Sequence, residues 1–269
     1  MTLFESIILG IIQGLTEFLP VSSSGHLAIA GHLFGIQTEG DLGFEIAVHG
    51  GTLLTVLIFF RAKLLEIARG MLTGDKSALR WGLFLVVATI PAALIGIPFK
   101  DTIAGLFNNP VGIGFAWIVM SVVLIFSERL SRPIYSVGQI GIGKVLLIGT
   151  AQAIALLPGI SRSGSTISAG LLVGLKKKDA VEFAFLLSIP AVGGAILLQS
   201  VDWLSGSAVF EMTYLAGGIS AGLSGYFAVA VMMRVVNSGK LVWFGIYCAL
   251  IGVATLVANY LNPSLFMGQ

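Results

Sequence analysis

Charge is what this sequence has least of. Only 10% of its 269 residues are Asp, Glu, Lys or Arg, where a soluble domain carries about 25%. With 56% hydrophobic residues and a mean hydropathy of +0.98, the chain reads as an integral membrane protein. The alternating ten-residue apolar pattern of a barrel is missing, so the spans are helical. Cysteine occurs once, as Cys248 in an apolar run. That excludes an internal disulfide and a thiolate metal cluster, and leaves a small buried side chain as the expectation. Lys and Arg are absent from residues 1–60. Without a basic n-region or a small-residue cleavage site, the N-terminus is expected to be mature chain rather than a signal peptide. The net charge of +2 comes from basic residues scattered over loops and implies no nucleic-acid partner.

A spanning helix needs about 20 mostly apolar residues, and six runs qualify: 43–60, 81–98, 112–128, 180–199, 213–233 and 241–260. Pro91 and Pro190 fall inside two of them and are expected to kink them. Two further apolar regions are broken by polar tips. Residues 3–20 carry Gln13 and Glu17 and stop at Pro20, and 27–35 is too short to cross; 145–157 and 165–175 repeat the arrangement. Each pair reads as a re-entrant helical hairpin, because irregular backbone at membrane depth is tolerated only when buried in protein or lining a wet cavity. Placing 61–80, 129–144, 176–179 and 234–240 in the cytoplasm puts thirteen of the fifteen Lys and Arg residues inside, the positive-inside pattern. Hairpin 3–35 then enters from outside and hairpin 145–175 from the cytoplasm, and three spans follow each. The expected fold is an all-α polytopic membrane protein: six transmembrane helices and two re-entrant hairpins in two inverted-topology repeats, 1–128 and 143–269, joined by a cytoplasmic linker 129–142. Both termini lie outside, in the cytoplasmic membrane.

The repeat is visible in the letters. Shifted by 139 residues, Gly10–Gly35 lies on Gly149–Gly174 with nine identities, among them Gln13/Gln152, Ser22/Ser161, Ser24/Ser163 and Gly25/Gly164; chance gives roughly two. The two polar stretches, QGLTEFLPVSSSGH (13–26) and QAIALLPGISRSGST (152–166), differ where chemistry would sit. The first carries Glu17 and His26, the second Arg162.

Gln13 and Glu17 share a helix face at i and i+4. A carboxylate inside an apolar segment faces a cavity, a partner charge or an ion. Glu17 could therefore pair structurally, bind a divalent cation or accept a proton, and Gln13 could be a structural hydrogen bond or a ligand contact. Ser22, Ser23, Ser24 and Gly25, like Ser161, Ser163, Gly164 and Ser165, precede short helices. Capping explains one serine per copy, whereas two helix starts meeting at one point suit an anion, phosphate most naturally. Arg162 adds a planar fork for phosphate oxygens, against a resting pair with Glu17. His26, three residues after Ser23, is expected on the same side as its hydroxyl, as a base for serine, a phosphoryl acceptor or a general acid. His32 is expected at the interface. His49 either lines the cavity or is structural. Lys176–Lys178 read as a head-group anchor, and Gly217, Gly218, Gly222 and Gly225 as close helix packing.

These residues resemble one known family, the bacitracin-resistance type of undecaprenyl-diphosphate phosphatase. Its first signature, an E/Q-xxx-E helix running into FLPVSSSGH, is present as Gln13, Glu17 and 18–26. Its second, PGxSRSGxT, is present as Pro158 to Thr166. The resemblance covers nearly the whole chain. It implies a membrane enzyme that removes the terminal phosphate of a C55 polyprenyl diphosphate, recycling the carrier for envelope polymers and giving bacitracin resistance. It also implies dependence on Mg²⁺ or Ca²⁺ and a site open to the outer face. Catalytic roles fall on Glu17, Ser23, His26 and Arg162, and phosphate binding on Ser22, Ser24, Gly25, Ser161, Ser163, Gly164 and Thr166. Glu17 and Gln13 would hold the metal; some members carry Glu at the position of Gln13. The expected partners are the polyprenyl diphosphate, membrane lipids and, as one option, a second copy in a homodimer. The rival readings are a transporter or flippase of a polyprenyl phosphate, which would need Arg162 but no nucleophile, and a structural membrane protein, in which nothing offsets the insertion cost of Glu17, His26 and Arg162.

Overall fold

The computed structural model describes residues 1–36, 41–206, 211–263 and 266. Among them lie twelve α-helices: α1 (Leu3–Phe18), α2 (Ser23–Phe34), α3 (Leu42–Phe59), α4 (Arg61–Leu72), α5 (Lys76–Gly96), α6 (Lys100–Gly105), α7 (Pro110–Leu130), α8 (Ile142–Ile154), α9 (Arg162–Leu172), α10 (Lys177–Ser205), α11 (Met212–Asn237) and α12 (Val242–Leu261). Six are long and apolar enough to cross a membrane: α3, α5, α7, α10, α11 and α12. They are the six expected runs, extended by a few residues where polar turns continue the helix. Pro91 and Pro190 sit inside the continuous helices α5 and α10.

The two broken regions follow from local chemistry. Thr2 and Glu5 form a capping box at the start of α1. Pro20 removes helical freedom from the residue before it, and α1 ends at Phe18. After the turn, Ser22 caps α2 by accepting from the Gly25 N–H, and Gly35 closes it with φ +64°. The second region repeats the serine cap and the left-handed glycine. Ser161 accepts from the Gly164 N–H to start α9, and Gly174, φ +94°, follows its end. The starts of α8 and α9 stand 139 residues after those of α1 and α2.

Two connections differ from expectation. Residues 61–80 are not an open loop: α4 occupies most of them. Its Ile67 turns into the core while Lys63 pairs with Glu66 at 2.8 Å and lies 5.1 Å over the Trp81 ring. Charge alone made this amphipathic turn look like a loop. The linker is also ordered. A single 3₁₀ turn, Val137–Gln139, interrupts it, and the Ile134 and Tyr135 N–H groups both donate to the Gly174 carbonyl beyond α9.

Packing exchanges partners between the halves of the chain. α1 lies on α11 and α8 on α5; α3 lies on α11 and α10 on α5; α7 pairs with α12. Small residues make these contacts close. A Cβ on Gly14 would run into the Ala221 carbonyl and one on Gly51 into the Gly218 carbonyl, so Gly218 and its neighbours serve helix packing as expected. Gly51→Ala is expected to cost about 1–3 kcal/mol of stability by overpacking, because the obstacle is backbone and cannot rotate away. A lowered thermal midpoint in detergent is the check.

Three apolar clusters meet at the first motif's turn. Phe18 packs edge-on to Phe185, ring centroids 5.5 Å apart, in the largest cluster. Val21 belongs to a second cluster around Trp117, and Leu9 to a third with Phe44 and Tyr214. Leu19 packs against both of the first two clusters, so the polar residues that flank this turn, Glu17 before Phe18 and Ser22 after Val21, are held between them.

Candidate active site

Glu17 is the centre of the polar seam. Its Oε1 accepts from Arg162 Nη2 at 2.6 Å, and its Oε2 accepts from the Ser23 hydroxyl at 2.6 Å and from Gln13 Nε2 at 3.1 Å. The side chains of Glu17 and Arg162 are 9% and 16% exposed, and Gln13 is fully buried. The i, i+4 spacing on α1 brings Gln13 onto the carboxylate. Ser23 reaches it because it is the first residue of α2, so its side chain turns back over the preceding turn. Arg162 arrives from the other motif as the first residue of α9, and its Nη1 also reaches the Ala184 carbonyl at 3.5 Å. Under the 139-residue shift Ser23 and Arg162 occupy equivalent positions. One carboxylate is therefore gripped by the same position of each motif. Thr52 and Leu53 of α3 and Ser188 and Val192 of α10 complete the walls of the cleft that Glu17 and Arg162 face. His49, one turn before Thr52, donates Nδ1–H to the Glu45 carbonyl at 3.0 Å.

The other motif hydroxyls are occupied close to home. Ser22 and Ser161 cap their helices, and each hydroxyl meets that of its i+2 neighbour, Ser24 at 3.2 Å and Ser163 at 3.1 Å. Ser163 also donates to the Leu19 carbonyl, tying the second motif to the first turn. Thr166 bonds back to the Arg162 carbonyl at 2.8 Å. What the two helix starts leave for an anion is backbone. The first-turn N–H groups of Ser23 and Ser24, and of Arg162 and Ser163, have no intrahelical acceptor, and Gly25 and Gly164 keep those turns free of bulk. Gly25 is needed on the protein side too, since a Cβ there would press on the Trp117 ring at 2.9 Å.

His26 does not join Ser23. Its Nδ1 lies 2.7 Å from the Ser22 carbonyl and its Nε2 2.7 Å from the Tyr247 hydroxyl. The ring stacks on Tyr247 (5.8 Å, 6°) and takes the edge of Trp117 (5.1 Å, 72°). The expectation that helical spacing would place imidazole and serine hydroxyl together is thus corrected. Ser23 turns back toward α1, and His26, one turn on, faces α12. Ser22 makes this possible by holding φ +68°, the one positive φ on a non-glycine among the described residues, a conformation that costs about 1–3 kcal/mol. Tyr247 was missed. In the sequence it is one aromatic among several in the last span. His32, expected at the interface, is partly buried and edge-on to Phe266 at 6.1 Å. Cys248 is buried as expected, its Sγ 3.6 Å from the Pro20 carbonyl.

Among the described residues no group of three or more His, Cys, Asp and Glu could hold a metal by itself. What the site offers is the Glu17 carboxylate and the Gln13 Oε1, a buried oxygen without a hydrogen-bond partner. That pair fits a hard divalent cation that takes the rest of its shell from phosphate oxygens and water.

The sequence matches the family model described as bacitracin resistance protein BacA over residues 6–254. Curated proteins named undecaprenyl-diphosphatase are similar along nearly their full length. That of Bacteroides fragilis is 39% identical, covering 96% of this chain and 99% of its own. That of Desulfosudis oleivorans is 41% identical over 94% and 97%. That of Methanococcus vannielii is 40% identical over 91% and 96%.

Proposed function

Because the chain belongs to the bacitracin resistance protein BacA family, we propose that it is the membrane phosphatase that hydrolyses undecaprenyl diphosphate to the monophosphate and inorganic phosphate. This returns the lipid carrier to cell-wall synthesis, and bacitracin resistance goes with the family. One observation carries the chemistry: Ser23 and Arg162, from the two motifs, converge on the single carboxylate of Glu17.

At rest the ion pair neutralises the cleft. A diphosphate arriving there is the stronger claim on a guanidinium fork, so Arg162 transfers to the phosphate oxygens. The four first-turn N–H groups add to its pull. Glu17, relieved of its ion pair, is then a better proton acceptor and already holds the Ser23 hydroxyl. Ser23 Oγ attacks the terminal phosphorus as its proton passes to Glu17. The Oγ–P bond forms and the bond from that phosphorus to the bridging oxygen breaks, releasing the lipid monophosphate. Water then attacks the phosphoserine as its proton passes to His26: the new P–O bond forms, the Oγ–P bond breaks, Glu17 returns its proton to Oγ, and inorganic phosphate leaves.

Glu17 and Arg162 cancel each other's charge, so a polyanionic substrate calls for a further cation. Glu17 and Gln13 Oε1 would hold Mg²⁺ or Ca²⁺, which when bound supplies Lewis-acid polarisation of a phosphoryl oxygen. The matched starts of α1/α8 and α2/α9, and the exchange of packing partners, support reading 1–128 and 143–269 as inverted repeats whose two broken regions are re-entrant. The distribution of Lys and Arg supports a site open to the outer face of the cytoplasmic membrane, with both termini outside.

The test is phosphate release from undecaprenyl diphosphate by purified protein, with Mg²⁺ or Ca²⁺ and with EDTA. Release that needs the metal is expected. No release from well-folded protein would overturn the phosphatase, and movement of polyprenyl phosphate across vesicles would then establish the transporter.

A further inference from the structure

His26 is fixed from three sides, and the third side comes from the far end of the chain. We propose that Tyr247 is a positioning residue of the reaction, holding His26 in one tautomer and one orientation and carrying the proton that its Nε2 exchanges. The inference rests on the phosphatase reading above.

The Ser22 carbonyl can only accept, so His26 Nδ1, 2.7 Å away, carries a hydrogen. In the neutral ring Nε2 is then an acceptor, and the Tyr247 hydroxyl, 2.7 Å away and 221 positions along the chain, donates to it. Hydrogen bonds fix the ring within its plane. The parallel Tyr247 ring and the perpendicular Trp117 ring fix the plane itself. The turn beneath is held by the same two spans: Trp117 of α7 donates Nε1–H to the Val21 carbonyl at 2.8 Å, and Cys248, next to Tyr247 on α12, meets the Pro20 carbonyl.

The groups that face His26 are Tyr247 from α12, Trp117 from α7, and the Val21 and Ser22 carbonyls of its own turn. None of these is charged, so the hydroxyl is the group through which the ring exchanges a proton. Tyr247 passes its hydrogen to Nε2 as it takes the proton of the attacking water, and the reverse transfer, from Nε2 through the hydroxyl to bulk water, returns both residues to their starting state. Tyr247 is 42% exposed, so protein does not seal its outer side.

Tyr247→Phe tests this, since the stacked ring stays and only the oxygen leaves. Turnover should fall about 5–10-fold, the worth of one hydrogen bond, with KM unchanged within about twofold. The chain has three histidines, so ¹⁵N-imidazole spectra in nanodiscs resolve them, with His26→Ala giving the assignment. The His26 Nε2 signal should move in Tyr247→Phe while those of His32 and His49 stay. An unmoved His26 signal, or unchanged turnover with a moved signal, overturns the proposal. A fall in turnover accompanied by a lower melting temperature and an unmoved signal shows a structural tyrosine and overturns it too. Wild-type protein that releases no phosphate would sink the phosphatase instead, while the imidazole spectra still report on the pair.

Discussion

Replacing Arg162 by alanine is expected to remove both activity and stability. Turnover should fall about 10²–10³-fold, the usual loss for one preorganised donor to a developing oxyanion, and kcat/KM should fall further, since in the proposed mechanism the same fork also binds the ground-state diphosphate. The stability loss has a separate origin. Glu17 is 9% exposed and Arg162 is its only cationic hydrogen-bond donor among the described residues. Removing one member of a buried pair costs about 3–5 kcal/mol, because the other charge is left uncompensated. The lower end applies here, since Ser23 and Gln13 still donate to the carboxylate. Arg162→Lys keeps the charge without the fork and should recover stability better than turnover. Phosphate release and thermal unfolding of the same preparations separate the two effects. A double variant, Glu17→Gln with Arg162→Met, removes both charges. It should be more stable than Arg162→Ala and no more active.

The second large effect is expected from Glu17→Gln. The amide keeps the shape but cannot take the Ser23 proton, and its NH₂ would confront the Gln13 NH₂ that now donates to Oε2. Turnover should fall about 10²–10⁴-fold, the range for a lost general base, with kcat bearing more of the loss than KM because Arg162 remains to hold phosphate. The steady-state split between kcat and KM is the measurement. A loss confined to KM, restored by raising the metal concentration, would show that Glu17 acts only as a metal ligand.

How much of this was readable before any coordinates depended on the distance over which each feature is decided. The six spans were readable because apolar length is a local property, and the breaks at Pro20 and before Ser161 because capping and proline chemistry act within a turn. The meeting of Glu17 and Arg162 was readable as one of two alternatives: a carboxylate and a guanidinium in the apolar parts of a chain have few other partners. The Ser23–His26 pair was misread. Sequence spacing places two residues on a helix face but does not say that Ser23, at the first position, turns back toward α1. Ser22 carried no glycine or asparagine to announce a positive φ. Tyr247 could not be distinguished from Trp243 or Tyr260 by any local signal, because what selects it is a ring on the opposite end of the chain. The helix α4 was hidden by its own charges.

The exchange of packing partners also sets a timetable. Ser6 of α1 hydrogen-bonds to the Thr213 carbonyl of α11, 207 positions later, and the glycine-lined face of α1 packs on α11. At a synthesis rate of about 5–20 residues per second, α1 waits about 10–40 s for the helix that completes its seat. For about the first 7–30 s of that wait, while the 145 positions to Arg162 are made, the Glu17 carboxylate also lacks its cation. The nascent chain therefore carries an unpaired acid into the bilayer, and its neutralisation belongs to the second half of biogenesis.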